Sequence, residues 1–321
     1  MVRFTVLASG SRGNSSIIRG GSTSILVDAG LSCRELFRRM TLAGEDPATL
    51  DAIIITHEHS DHVGGLPVTA RRLGIPVYFT RGTHRAWVDQ VTPRKQVSYT
   101  QWAVQYKQAR QQKADAQQLL TVEDCDPEVA VPETEEPIET PQVQTQAHAK
   151  ADPSFLPAVE YFRPGEAFSI GDITVSPFTI PHDAADPVGF VFSAEGARLA
   201  VATDLGYLPP NVQAQLRRCD LIMLESNHDL EMLRDGPYPW AVKQRVLSRV
   251  GHLSNDAAAS FLEDTYDGMA TWLILAHLSE SNNLPELARL AAERALASKP
   301  SLLANRLLLA SQHEPLAPIC L

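Results

Sequence analysis

The chain has 321 residues, 44% hydrophobic and 21% charged, with a formal net charge of −10. That is enough for one large domain or two small ones around a buried core, and no run of about 18 apolar residues is present to form a transmembrane helix. The four cysteines, Cys33, Cys125, Cys219 and Cys320, are too scattered for a disulfide framework or a Cys-x-x-Cys metal site.

A reducing cytoplasm is therefore the expected compartment. The opening stretch MVRFTVLASGSRGNSS has neither the apolar segment nor the cleavage site of a signal peptide. At face value the charge also argues against a nucleic-acid partner, because phosphate backbones favour basic surfaces.

FTVLAS (4–9) reads as a first strand, followed by the Gly/Ser/Asn loop GSRGNSS (10–16). SIIRG (16–20) and TSILVDAG (23–30) are two short strand runs around a Gly-Gly turn. CRELFRRMTLAG (33–44) has helical spacing at Leu36, Phe37 and Met40 and stops at Gly44. DAIIITH (51–57) is a continuous apolar run, the mark of a buried strand. PVTARRLG (67–74) reads as a helix and IPVYFT (75–80) as a strand.

Residues 101–157 break this pattern. They carry ten acidic and four basic residues, so −6 of the −10 sits there. The first part has the composition of a short polar helix. The middle, TVEDCDPEVAVPETEEPIETPQVQTQ, cannot bury a core and is expected to be disordered. The stretch reads as an acidic, Gln/Pro-rich insertion within a single domain spanning 1–321, and it is a candidate site for an unknown protein partner.

Beyond it, 161–180 and 188–206 read as strands with hairpin turns, and DLIMLES (220–226) as a buried strand. From about Pro239 the chain is expected to be mostly helical, with one apolar strand in TWLILAHLS (271–279). Strands in both halves, each followed by helices, predict an α/β architecture of two sheets packed face to face with helices outside.

The segment that carries chemistry is Thr56-His57-Glu58-His59-Ser60-Asp61-His62, where the IIIT run ends. Imidazole and carboxylate suit zinc and other borderline divalent ions. His57 and His59 are two apart in extended chain and can point to one side. A helix opening next would turn Asp61 and His62 together toward a second position. One short loop then serves two adjacent metals.

This H-x-H-x-D-H spacing resembles the signature of the metallo-β-lactamase-fold hydrolases. The resemblance implies an αββα sandwich of two mixed sheets and three further ligands in the order His, Asp, His. His182 in TIPHD, Asp204 in ATDLG and His277 in LAHLS stand in that order, each at the end of an apolar run. LASGSRGNSS, ILVDAG, ESNHD (225–229), GPYP (236–239), GHLSN (251–255) and HLSESNN (277–283) narrow the likeness to the YycJ/WalJ-like branch.

What that implies is a dinuclear site for two divalent ions, zinc or manganese. His57, His59 and His182 would hold one, Asp61, His62 and His277 the other, with Asp204 as the bridge. A metal-bridging hydroxide would be the nucleophile. Asp28 in ILVDAG would orient the ligating imidazoles from behind. His252 in GHLSN resembles a histidine that tRNase Z relatives carry upstream of the last ligand. It would protonate the leaving group, with Glu225 orienting it and Asp61 counted with them as catalytic. Ser9, Ser11, Arg12, Asn14, Ser279, Asn282 and Asn283 are the candidates for substrate contact. His228 is ambiguous, and His84, His148 and His313 are expected at the surface.

The branch further implies a 5′-to-3′ DNA exonuclease acting in DNA repair. Asp204 and His277 are only 73 positions apart, too few for the inserted domain of β-CASP nucleases. Two other readings stay open: a small-molecule hydrolase of cyclic phosphodiesters or thioesters, and a non-catalytic metal-binding regulator. A homodimer is also open. The charge no longer excludes DNA. Only −4 lies outside the insertion, Asp61 and Asp204 contribute to it, and bound cations would offset them.

Overall fold

The computed structural model describes residues 1–92, 103–104, 106–108, 152–297 and 305–321. Met1–Val91 and Pro153–Leu321 form one compact unit, and Thr92–Asp152 a second. Ala103–Val104 and Tyr106–Gln108 are helical; the remaining inner residues of the acidic segment, with His148 and Cys125, lie outside the described residues. Leu156, near the end of the acidic segment, is buried in the cluster on the first sheet's outer face.

The first sheet is built from β1 (Arg3–Ala8), β2 (Ser15–Gly20), β3 (Thr23–Val27), β4 (Ala52–Ile54), β5 (Val77–Phe79), β6 (Val159–Tyr161) and the late β14 (Ile319–Cys320), in the order β14-β1-β2-β3-β4-β5-β6. Pairing is antiparallel up to β3 and parallel beyond it. The second sheet repeats the pattern. β7 (Phe168–Ile170), β8 (Ile173–Thr179), β9 (Val188–Ala194) and β10 (Ala197–Ala202) pair antiparallel. β11 (Leu221–Glu225), β12 (Trp272–Ala276) and β13 (Arg306–Leu309) continue in parallel.

Phe4, Ile18 and Ile25 of the first sheet and Val175, Phe190 and Met223 of the second share one buried cluster, so the sheets pack face to face. A second cluster covers the first sheet's outer face with α1 (Cys33–Leu42), α3 (Leu66–Leu73) and α4 (Arg81–Val91), and α2 (Ser60–Val63) sits between α1 and α3 in sequence. The third covers the other outer face with α5 (Pro210–Gln215), α8 (Asn255–Asp264) and α9 (Pro285–Ala297). Two short helices, α6 (Leu230–Asp235) and α7 (Trp240–Val246), follow β11. This is the expected αββα sandwich.

Local signals set the element ends. Ser32 caps α1 by accepting from Glu35 N, and Ser254 caps α8 by accepting from Ala257 N. Gly74 ends α3 in the left-handed conformation. Gly30 lies so close to α2 that a Cβ there would fall 1.7 Å from the Asp61 carbonyl oxygen; only glycine lets that helix dock.

Two expectations need correction, and one helix carried no expectation. The tail after Pro239 is not helical with a single strand, since β13 and β14 close one edge of each sheet. A four-residue RLLL and a two-residue IC are too short for periodicity to decide. RGTHRAWVDQV forms α4, which the sequence reading passed over. His84 is not a plain surface residue. It is half-buried, stacks with Phe79 and Trp87, and bonds the Tyr161 hydroxyl at 2.8 Å.

One buried cation pins the frame. Arg39 donates from Nη1 to the carbonyls of Leu7 (3.1 Å) and Gln312 (2.7 Å), and from Nε to Glu35 (2.7 Å). Arg39→Ala leaves two buried carbonyls without donors and is expected to destabilise the fold by about 2–4 kcal/mol. Urea unfolding checks this; an unshifted midpoint would contradict it.

Candidate metal centre

The ligand side chains converge at one end of the sandwich, where β4, β8, β10 and β12 deliver their C-terminal loops. Two groups form. The ligand atoms of His57, His59 and His182 lie within 4.8 Å of one another, and so do those of Asp61, His62, Asp204 and His277. Asp204 falls with the second group, which is the placement the structure gives it.

Four of the five candidate imidazoles have Nδ1 tied back to the protein. His62 Nδ1 is 2.8 Å from Asp28 Oδ2, and His57 Nδ1 is 3.0 Å from Thr56 Oγ1. His182 Nδ1 lies 3.2 Å from the Gly251 carbonyl, and His277 Nδ1 2.9 Å from Glu225 Oε1. Such partners fix the tautomer and aim the other nitrogen inward. His57 Nε2, His277 Nε2 and Asp204 Oδ2 are buried with no hydrogen-bond partner.

A buried polar atom without a partner is costly, and here three of them belong to candidate ligands. His182 Nε2 and His59 Nδ1 are 3.2 Å apart, and His62 Nε2 and Asp204 Oδ2 3.4 Å. Ligands about 2.0–2.1 Å from a tetrahedral ion are separated by roughly 3.3 Å. The residues therefore fit divalent cations in both number and spacing.

The backbone is bent to achieve this. Asp28 (φ 59°), Asp204 (φ 61°) and His277 (φ 55°) occupy the left-handed region just after β3, β10 and β12. That conformation is uncommon outside glycine, although Asp and His enter it more readily than most residues, and it concentrates at functional sites.

Charge in the cluster is strongly coupled. Burial alone would lower the proton affinity of His62, but Asp204, Asp28 and Asp61 outweigh it and raise its pKa well above the ordinary range. Burial is likewise overcome at His277 by Asp204, Asp61 and Glu225. At His57 burial prevails, reinforced by His62, and its pKa falls. Burial would raise the Asp61 and Asp204 carboxyls, yet the facing imidazoles push both down.

In the metal-free chain His62 and His277 thus hold protons that the unfolded chain would lose near pH 6.5. The stability they lend is complete below that pH and is lost as pH rises through their raised folded values. A cation must displace these protons, so its affinity is expected to rise with pH. Calorimetry in two buffers of different ionisation enthalpy should register proton release on metal binding; equal heats would contradict it.

Glu225 ties the second group to His252. It is fully buried; Oε1 meets His252 Nδ1 at 2.7 Å and His277 Nδ1 at 2.9 Å. Oε2 accepts from the backbone N–H groups of Leu205 (2.8 Å) and Leu253 (3.1 Å). Burial would raise the Glu225 pKa, but His252 and His277 hold it down at about 2. His252 is partly open to a cavity of about 210 Å³ that it shares with Ser11, Asp61, Tyr238, Arg245 and Ser279.

The proposed substrate contacts divide. Ser11 and Ser279 line that cavity. Arg12 points to Glu280. Ser9 is buried and accepts from His277 N, and Asn14 reaches Asp61 Oδ2 (3.1 Å) and His62 Nε2 (3.0 Å). Asn282 is buried behind Ser279, and the Asn283 amide donates to the Ser226 and Asn227 carbonyls. None of these four lines that cavity; Ser9 and Asn283 line the neighbouring one. His228 is buried with neither ring nitrogen partnered, and burial lowers its pKa to about 4. His313 is exposed, as expected.

Sequence reasoning gave no role to Thr56, Glu58, Asn227 or Tyr238. Glu58 Oε1 accepts from Ala185 N and anchors the loop that carries His182; its signal was its place between two ligands. Asn227 donates to the His277 carbonyl at 2.8 Å, a contact no local pattern announces. Arg245, one of several scattered basic residues in the sequence, pairs with Asp183 beside His182.

The pattern of the metallo-beta-lactamase superfamily matches residues 8–242. The chain is 32% identical over 301 residues to a Bacillus anthracis protein named exodeoxyribonuclease YycJ, covering 93% of this chain and 90% of that one. It is 30% identical over 295 residues to exodeoxyribonuclease WalJ of Streptococcus pneumoniae serotype 2, covering 92% and 88%. Among solved structures, the metallo-beta-lactamase fold protein YhfI of Bacillus subtilis superposes with a TM-score of 0.59 at 15% identity, over 98% of both chains. No helix among the described residues is long and apolar enough to cross a membrane.

Proposed function

The chain belongs to the metallo-beta-lactamase superfamily, in its YycJ/WalJ-like branch, and on that premise we propose a metal-dependent phosphodiesterase that degrades DNA from 5′ ends in DNA repair. The observation that carries the reading is the set of seven ligand side chains beneath a polar cavity, in a chain related along about nine-tenths of its length to two exodeoxyribonucleases. His57, His59 and His182 would hold one divalent cation, and Asp61, His62, Asp204 and His277 a second, with Asp204 shared between them. Zinc and manganese both suit this donor set. Divalent cations held by these residues would supply Lewis-acid activation of a water and positive charge for a phosphodiester.

The chain's own residues do the rest. Arg245 offers a guanidinium to a phosphate oxygen, with one edge already held by Asp183. The Tyr238 and Ser11 hydroxyls line the same cavity and orient the ester. As the imidazolium, His252 would keep its Nδ1–H donated to Glu225 Oε1 and give its Nε2 proton to the departing oxygen, ending as the neutral imidazole. Asp28 and Glu225 hold His62 and His277 in their ligating orientation.

Metal-loaded protein is expected to release nucleotides from 5′-phosphorylated duplex DNA and to turn over bis(p-nitrophenyl) phosphate. His57→Ala should do neither. End-labelling at the 5′ or 3′ terminus reads the polarity. Hydrolysis of the small ester alone, by the parent chain and not by His57→Ala, would sink the DNA assignment and leave a small-molecule phosphodiesterase.

A further inference from the structure

Resting on the phosphodiesterase reading, we infer that the cavity beside the metal centre, toward the ends of β12 and β13, is a nucleobase pocket. It seats the base of the nucleotide whose phosphate lies at the metals.

The two cavities differ in size and character. The metal cavity measures about 210 Å³, room for a phosphoryl group and part of its sugar. Its neighbour measures about 410 Å³, within the range of about 300–1,000 Å³ usual for small-ligand sites. Ser279 lines both, so one wall separates them. Ser9, on the larger cavity's side, accepts from the backbone N–H of His277 at 2.8 Å. A ligand there is one residue away from a metal ligand.

The lining suits a base. Leu284 and Leu309 present apolar surface for its flat face. Glu280 sits on the rim, its carboxylate held by Arg12 Nε at 2.8 Å and His313 Nε2 at 2.7 Å. Braced between two donors, it is fixed as an acceptor for a ring N–H or exocyclic amine. The Arg12 guanidinium also offsets its repulsion of nearby phosphates. Arg12 thus serves the substrate through Glu280 rather than by touching a phosphate.

The test compares dAMP with 2-deoxyribose 5-phosphate, which lacks the base, by calorimetry on the metal-loaded chain. The base should tighten binding about tenfold or more. Leu284 is 49% exposed, so Leu284→Trp can fill the cavity without disturbing the core. It should erase that advantage while inorganic phosphate binds as before. Equal affinities in the parent chain, or an advantage that survives Leu284→Trp, would overturn the pocket. A chain that shows the preference but degrades no DNA loses the exonuclease reading and keeps the pocket; one that degrades DNA without the preference does the reverse.

Discussion

Asp204→Asn is expected to lower turnover on the order of 10³-fold and to strip metal from the purified protein. The side chain is 2% exposed, and its oxygens lie 3.4 Å from His62 Nε2 and 3.2 Å from His277 Nδ1. Asparagine keeps the volume and tolerates the left-handed backbone that Asp204 adopts. The effect therefore isolates the charge. An amide places a donor where a ligand oxygen is needed and removes the negative charge that faces the cluster. Losing about 4 kcal/mol of cation-dependent stabilisation corresponds to about 10³-fold in rate. Metal content and kcat measured on one preparation decide the matter. Turnover within tenfold of the parent, with metal retained, would remove Asp204 from the ligand set.

His252→Ala is the second large effect, and its signature is selectivity. General-acid catalysis contributes typically about 10²–10⁴-fold. The departing oxygen of DNA is an alkoxide that needs a proton. A p-nitrophenolate leaves without one. DNA degradation should fall by about 10²-fold or more, bis(p-nitrophenyl) phosphate turnover by far less, and metal content should hold. Parallel loss on both substrates together with metal would make His252 a ligand instead. That outcome has a structural basis to be weighed, since Asp204, Glu225, His252 and His277 also lie within ligand distance of one another.

Much of the site was legible along the chain. His57, His59, Asp61 and His62 occupy one strand-to-helix junction, so local chain geometry alone nearly fixes their directions. His182, Asp204 and His277 each end an apolar run, but it was the order His, Asp, His that the family resemblance implies which singled them out together. The buried strands were legible because a run such as IIIT or LIMLE has no alternative to the core. The β13 and β14 strands were not. Their identity depends on an open sheet edge waiting for them, which is a property of distant chain.

Polar residues behaved in the same way. Ser9, Asn14, Asn282 and Asn283 sit in loops that end near the metals, and composition cannot separate a loop facing substrate from one facing protein. The buried amide of Asn283 donates to carbonyls 56 and 57 positions away. Glu225 meets two histidines and two backbone donors contributed by three separate segments. The sequence by itself carried the buried strand runs and the H-x-H-x-D-H segment, because those follow from residue chemistry and short-range periodicity; the order of the three further candidate ligands came from the resemblance to the metallo-β-lactamase-fold hydrolases. The tertiary structure alone decided which imidazole nitrogens are tied back to the protein, which candidate ligands share a group, and which polar side chains line the cavity. Those depend on hydrogen bonds between segments that meet only when the two sheets pack.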